Sequence, residues 1–307
     1  MDEVLYKKKE QRMSMTGFGG ILMISKWTSI RTNFVKWVTN NWKTDTGPQI
    51  RLSPIKVLKI TQDDVHRVYH LPRGDKRVDI SQCKDNAIER LRDELSIGGS
   101  FSRTVHYNVL EEKLLNPRSI TSWTKTAILC TICCLLCPVN GNNVDLRYAS
   151  ILEKFKDITM YNWCQHVLEH TTKGITVNNK LNPTFDFHFF LINYLERMYK
   201  QCRLLTGQFT TPLLSGWDES STIAGLLTME EMVGLSKAVV GVIKERRSED
   251  AQVLMPFDPE TCPMEKVQSY RGRCRGIFSP GKFAESSLNN CKNIFFPRLL
   301  RNLGREK

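Results

Sequence analysis

The sequence predicts a mainly α protein: a single multi-helix globular domain with a small β-strand pair near its N-terminal part. Three observations carry that reading. Apolar residues recur at helical spacing in most segments between residues 29 and 243. Only residues 49–52 and 56–60 carry a β-competent or alternating pattern. The strongest stop signals, Leu71-Pro72-Arg73-Gly74, Gly98-Gly99 and Pro138 with Asn140-Gly141, fall between the periodic runs. Composition agrees. A chain of 307 residues, 41% hydrophobic and 25% charged, can bury a real core, and it is neither disordered throughout nor a collagen or coiled-coil rod.

Residues 1–14 are polar and basic and read as a flexible leader. Gly17-Phe18-Gly19-Gly20 is too glycine-rich for a helix interior, and no strand signal precedes it as a dinucleotide loop requires. Residues 29–42 form an amphipathic helix through Ile30, Phe34, Trp37 and Val38, extended by Trp42. The strand pair follows, separated by Ser53-Pro54. Thr61-Gln62-Asp63-Asp64 resembles a capping box and opens a short helix carrying Val65, Val68 and Tyr69. That helix stops at Leu71-Pro72-Arg73-Gly74.

Residues 85–96 are amphipathic, with Ile88, Leu91 and Leu95 on one side. A weaker helix near 107–115 precedes the strongly apolar helix from Ser119 to Cys137. Helices near 145–156 and 158–172 come next, then 185–204, apolar almost all round and therefore central to a core. A second capping box, Thr228-Met229-Glu230-Glu231, opens a helix that closes at the charged run 244–247. The domain thus spans 15–247, and 248–307, with five prolines and no long apolar period, form a basic, mostly irregular tail.

Candidate chemistry is sparse. Cys130, Cys133, Cys134 and Cys137 fall on one helical face, but no second Cys/His pair lies close by in sequence to close a zinc tetrahedron, and the reading is core packing. His166-Val167-Leu168-Glu169-His170 matches the inverted zinc-peptidase pattern. There His166 and His170 would share a metal, Glu169 would act as base, and Cys164 would add a potential ligand. No third ligand is identified, and no phosphate loop or nucleophile elbow occurs. The chain is read as non-enzymatic, with no cofactor and no metal. The alternatives are a zinc-dependent hydrolase using His166, Glu169 and His170, or a degenerate element copy without function.

Charge adds a second theme. Of the net +12, residues 1–48 contribute +4 and residues 251–307 contribute +5, which leaves +3 for the body between them. Lys7, Lys8 and Lys9 at one end, and Arg271, Arg273 and Arg275 at the other, are the candidate contacts to nucleic acid, weak and non-specific. The longest apolar stretch, residues 127–139, is too short to span a bilayer, so no membrane is expected.

Several strings in order resemble one family. They are Phe18-Gly19-Gly20, the Trp37–Trp42 segment, Ile60-Thr61-Gln62-Asp63-Asp64, Leu71-Pro72-Arg73-Gly74, Leu135-Leu136-Cys137-Pro138, Tyr161-Asn162-Trp163, and Phe189 to Leu195. Together they look like the plant mobile domain, also labelled aminotransferase-like, over roughly residues 15–247. The resemblance implies a transposon-derived, mostly helical nuclear domain with no demonstrated reaction, linked in domesticated relatives to silencing and development. It implies a nuclear protein partner, with the nucleus (or cytoplasm) as location. The SUMO-protease-like module of some relatives is absent here. Tyr69-His70 departs from the pattern, because relatives often place a glycine before the Leu-Pro.

Overall fold

The computed structural model describes residues 3–23, 38–51, 57–139 and 143–177, together with 189, 190, 192–194 and 196. The expected helices over 29–42 and 185–204 are therefore described only in part. The capping box at Thr228, its helix, Ser53-Pro54, and the tail with Arg271, Arg273 and Arg275 lie outside the described residues.

The fold is mainly helical, with small antiparallel sheets, as its sequence predicts. The first element corrects the leader. Residues Glu3–Met15 form a helix, α1, which packs against the long apolar helix α5 (Ile120–Cys130). Met13 is buried, and Lys9 is buried with it, its Nζ 4.9 Å from the centre of the Trp123 ring. A cation over an indole face keeps part of its stabilisation without water, which is how a lysine enters a core that a composition count reads as solvated. Gly19–Met23 then forms a 3-10 turn that buries Ile21 and Leu22.

The expected strand pair is the antiparallel β2 (Gln49–Arg51) and β3 (Val57–Lys59), with Ile50 opposite Leu58. A third strand, β1 (Trp42–Lys43), joins the other edge of β2, where the sequence reads a helix end. The turn into α2 (Gln62–Tyr69) is the capping box: Asp64 Oδ2 accepts from the Thr61 amide at 2.8 Å and from its hydroxyl at 3.0 Å. Helix α2 ends at His70, which adopts φ +58°, the left-handed region that a glycine would occupy without cost.

Helices α3 (Asp85–Leu95) and α4 (Tyr107–Leu115) lie where periodicity places them. Helix α5 is capped by Ser119, whose hydroxyl accepts from the Ser122 amide at 3.0 Å. Its buried threonines satisfy their hydroxyls locally: Thr124 donates to the Ile120 carbonyl and Thr126 to that of Ser122. Beyond Cys130 the helix widens into a π-helical stretch, Thr131–Leu136, closed by a bond from the Cys137 amide to the Ile132 carbonyl. Cys130, Cys133, Cys134 and Cys137 are all within 3% of complete burial, so the four thiols pack as core.

The helix expected over 145–156 is replaced by shorter pieces. Strand β5 (Asn143–Asp145) pairs antiparallel with β4 (Thr104–His106), a 3-10 turn follows at Leu146–Tyr148, and α6 covers only Ala149–Glu153. The Asp145 carboxylate causes the break, accepting from the Arg147 amide at 2.9 Å and from its guanidinium at 2.6–3.0 Å. The helix expected over 158–172 begins later than periodicity suggests: Phe155–Met160 is a 3-10 helix, and α7 runs Trp163–Val177. Asn162 sets that start, because its side-chain oxygen accepts from the Gln165 amide at 2.9 Å and caps the first turn. At the described positions between 189 and 196, Phe189, Phe190, Ile192 and Tyr194 are buried, consistent with a core helix, and Asn193 and Glu196 are buried beside them.

Candidate functional site

The sequence string Leu71-Pro72-Arg73-Gly74 is more than a helix stop. It runs beside residues 160–164 and joins α2 to the start of α7. The Pro72 carbonyl accepts from the Trp163 amide at 3.1 Å, and the Gly74 amide donates to the Tyr161 carbonyl at 3.2 Å. The Lys76 amide donates to the Met160 carbonyl at 2.9 Å and the Asn162 amide to the Lys76 carbonyl at 2.8 Å. The Leu71 carbonyl accepts twice, from His66 Nδ1 at 2.7 Å and from the Cys164 thiol at 3.3 Å. Arg73 closes the outside by pairing with Asp63.

The two strings meet here for a steric reason. A side chain on Gly74 would meet the Met160 backbone at 2.1 Å, one on Gly20 would meet the Tyr69 carbonyl oxygen at 2.2 Å, and Gly17, at φ +76°, lies against the Pro72 ring. Phe18 then reaches Trp163, edge to face, with ring centres 5.2 Å apart. Trp163 is fully buried, and its indole N–H donates to the Ile158 carbonyl at 2.9 Å.

Helix α7 carries the expected chemistry on this support. Its buried stripe is Trp163, Cys164, Val167, Leu168, Thr171 and Ile175, and His166 and His170 flank it. His166 Nε2 lies 2.8 Å from the Tyr148 hydroxyl. Burial pushes the Tyr148 phenol well up, so it keeps its proton. Burial first, and the neighbouring His170 second, push His166 down to about 4, so its ring is neutral and shares a hydrogen bond with the phenol through Nε2. Glu169 is exposed, accepting from the Arg77 guanidinium at 3.2 Å and from the Gln165 side-chain Nε2 at 3.0 Å. Cys164 is pushed up to about 12 by burial and stays a thiol, donating to the Leu71 carbonyl. Among the described residues no cluster of three or more His, Cys, Asp or Glu side chains is placed to hold a metal ion.

Residues 3–186 match the model of a family described as a domain of unknown function, DUF8566. The chain belongs to that family. No curated protein and no solved structure matches it. The DUF8566 match begins at the start of α1 and runs past the end of α7, so it takes in the helix that composition alone reads as a leader.

In this DUF8566 chain the remaining candidates separate by burial. Lys7 and Lys8 are exposed on α1, whereas Lys9 is 5% exposed and belongs to the core. No helix among the described residues is long and apolar enough to cross a membrane. The partner of His166 could not be read from sequence, since Tyr148 lies 18 residues away on another element and carries no local signal. The sequence also gave no sign of the double acceptor at Leu71 or of the Arg77–Glu169 pair.

The His166 assignment has a measurable consequence. The unfolded ring titrates near 6.5 and the folded one near 4, so the unfolded state binds the extra proton between those values. Stability is fully present above pH 6.5 and falls as pH drops toward 4, by about 3 kcal/mol in all. Urea denaturation from pH 7 to pH 4 of wild type and His166→Gln, which cannot titrate, checks this. The two curves are expected to draw together as the pH falls through that window; parallel curves would remove the assignment.

Proposed function

We propose that this DUF8566 chain is a non-enzymatic interaction module, nuclear and transposon-derived as its likeness to the plant mobile domain implies, and associated with a nuclear protein partner and weakly with nucleic acid. The observation that carries the non-catalytic part is the use of the H-x-x-E-H side chains. His166 is neutral and bonded to Tyr148, and Glu169 is paired with Arg77, so two of the three motif side chains already have protein partners. A general base and a metal ligand both need a lone pair directed at solvent or substrate.

The nucleic-acid part rests on charge. Lys7, Lys8 and Arg12 are exposed on α1, and they add to the basic ends of the chain. Such a surface neutralises phosphates without reading bases, so affinity falls steeply with salt. A role in silencing or development, as in domesticated relatives, is part of the same reading.

Binding of the full chain to a labelled DNA duplex across a salt series tests it. Wild type is expected to bind at low salt and to lose affinity linearly in log–log form. Lys7→Glu with Lys8→Glu is expected to weaken binding severalfold, whereas Lys9→Met leaves it unchanged and leaves the melting temperature equal or higher. Absence of binding at low salt would remove the nucleic-acid part, and an effect of Lys9→Met equal to that of the double reversal would overturn the division of the three lysines. Hydrolysis of a peptide substrate that requires zinc and is lost in His170→Ala would overturn the non-enzymatic reading.

A further inference from the structure

The C-terminal end of α2 holds a second histidine pair, one in its last turn and one at its cap, outside the H-x-x-E-H motif. His66 and His70 are four residues apart with ring centres 4.9 Å apart. His66 donates its Nδ1–H to the Leu71 carbonyl at 2.7 Å, which fixes the tautomer and leaves the Nε2 lone pair as the ring's available donor atom. A backbone carbonyl bound to the far nitrogen is the usual outer support of a metal-ligating imidazole.

His70 is exposed, and its side chain makes no hydrogen bond among the described residues. Its backbone is held at φ +58° against Gly20, where a side chain would meet the Tyr69 carbonyl oxygen at 2.2 Å and His70 Cβ at 3.2 Å. A left-handed conformation costs an L-residue roughly 1 kcal/mol or more, and glycine at this position would avoid that cost. The histidine therefore keeps a strained place with its ring beside that of His66.

The geometry points to a divalent transition-metal site formed by His66 Nε2 and the His70 ring, with water completing the coordination shell. Two imidazole nitrogens at about 2.0–2.1 Å from one ion span a gap of only a few ångströms, and a turn of the exposed His70 ring closes it. Imidazole donors select nickel, copper or zinc over magnesium and calcium. Asp63, three residues before His66 on α2, is paired with Arg73. This inference is independent of the interaction-module reading, since a chain with or without nucleic-acid affinity could carry it.

Nickel(II) titrated calorimetrically into the full chain tests it, with His70→Gly as the comparison. That variant relieves the backbone and is expected to melt at the same temperature or higher, so lost binding is not lost folding. Wild type is expected to bind one nickel ion at this site, and His70→Gly to bind it at least about tenfold more weakly. Absence of nickel binding by wild type, or equal affinity in the two proteins, would overturn the proposal.

Discussion

Gly74→Ala is expected to destabilise the protein by at least about 3 kcal/mol, a large share of the stability of an ordinary domain. The added methyl would sit 2.1 Å from both the carbonyl carbon and the carbonyl oxygen of Met160, and backbone atoms cannot step aside as a flexible side chain can. Relief requires residues 72–76 to lift from residues 160–163, which breaks the bonds from Gly74 to Tyr161 and from Lys76 to Met160. Gly98→Ala is the matched control, because a side chain there meets nothing within 4 Å. Urea denaturation of the two variants is expected to show a large drop in midpoint for the first and a change within about 0.5 kcal/mol for the second. Equal midpoints would mean that the Leu-Pro-Arg-Gly segment does not join α2 to α7 as described.

Trp163→Ala is expected to cost about 3–5 kcal/mol, the range for emptying a fully buried aromatic site. The indole stands at the meeting point of three segments. It packs edge to face on Phe18, bonds to the Ile158 carbonyl, and has the His166 ring 6.1 Å away at a near-perpendicular angle. Trp163→Phe keeps one aromatic ring but loses the N–H bond and the volume of the second ring, so it is expected to lose about 2 kcal/mol, less than Trp163→Ala. The ordering of the three midpoints, read by the same denaturation, distinguishes a packing hub from a surface-tolerant residue. A Trp163→Ala midpoint within error of wild type would contradict the placement.

What could be read in advance followed from local rules, and what could not followed from distant partners. Helices α3, α4 and the body of α5 announce themselves because their apolar spacing and their stop signals lie within one segment. The Thr61 turn was legible for the same reason, since cap and partner are three residues apart. Strands β4 and β5 were not, because each is three residues long and gains its pairing from a segment about 40 residues away. Lys9 looked like part of a basic leader, and only the Trp123 ring, 114 positions further on, explains its burial. The π-helical widening after Cys130 leaves no periodic signature in so short a stretch.

The candidate site shows the same division with sharper consequences. The spacing of His166, Glu169 and His170 is a true property of α7, and it suggested shared metal chemistry. Burial of the His166 ring against the Tyr148 hydroxyl, and the pairing of Glu169 with Arg77, are tertiary facts that the spacing alone does not carry. In reverse, Gly20 and Gly74 carried the resemblance as mere letters. The structure supplies their reason: each lies against backbone that leaves no room for a Cβ.

His166 is a neutral ring bonded through Nε2 to the Tyr148 hydroxyl. Nitrogen-15 NMR of the histidine side chains, recorded across pH and then with one equivalent of zinc, tests it most directly. At pH 7 the His166 ring is expected to be neutral, with its Nε2 resonance shifted by the bond to the Tyr148 hydroxyl. The ring is also expected to titrate near pH 4 and to show no change when zinc is added. A ring that titrates near 6.5, or whose Nε2 resonance moves on adding zinc, would contradict it.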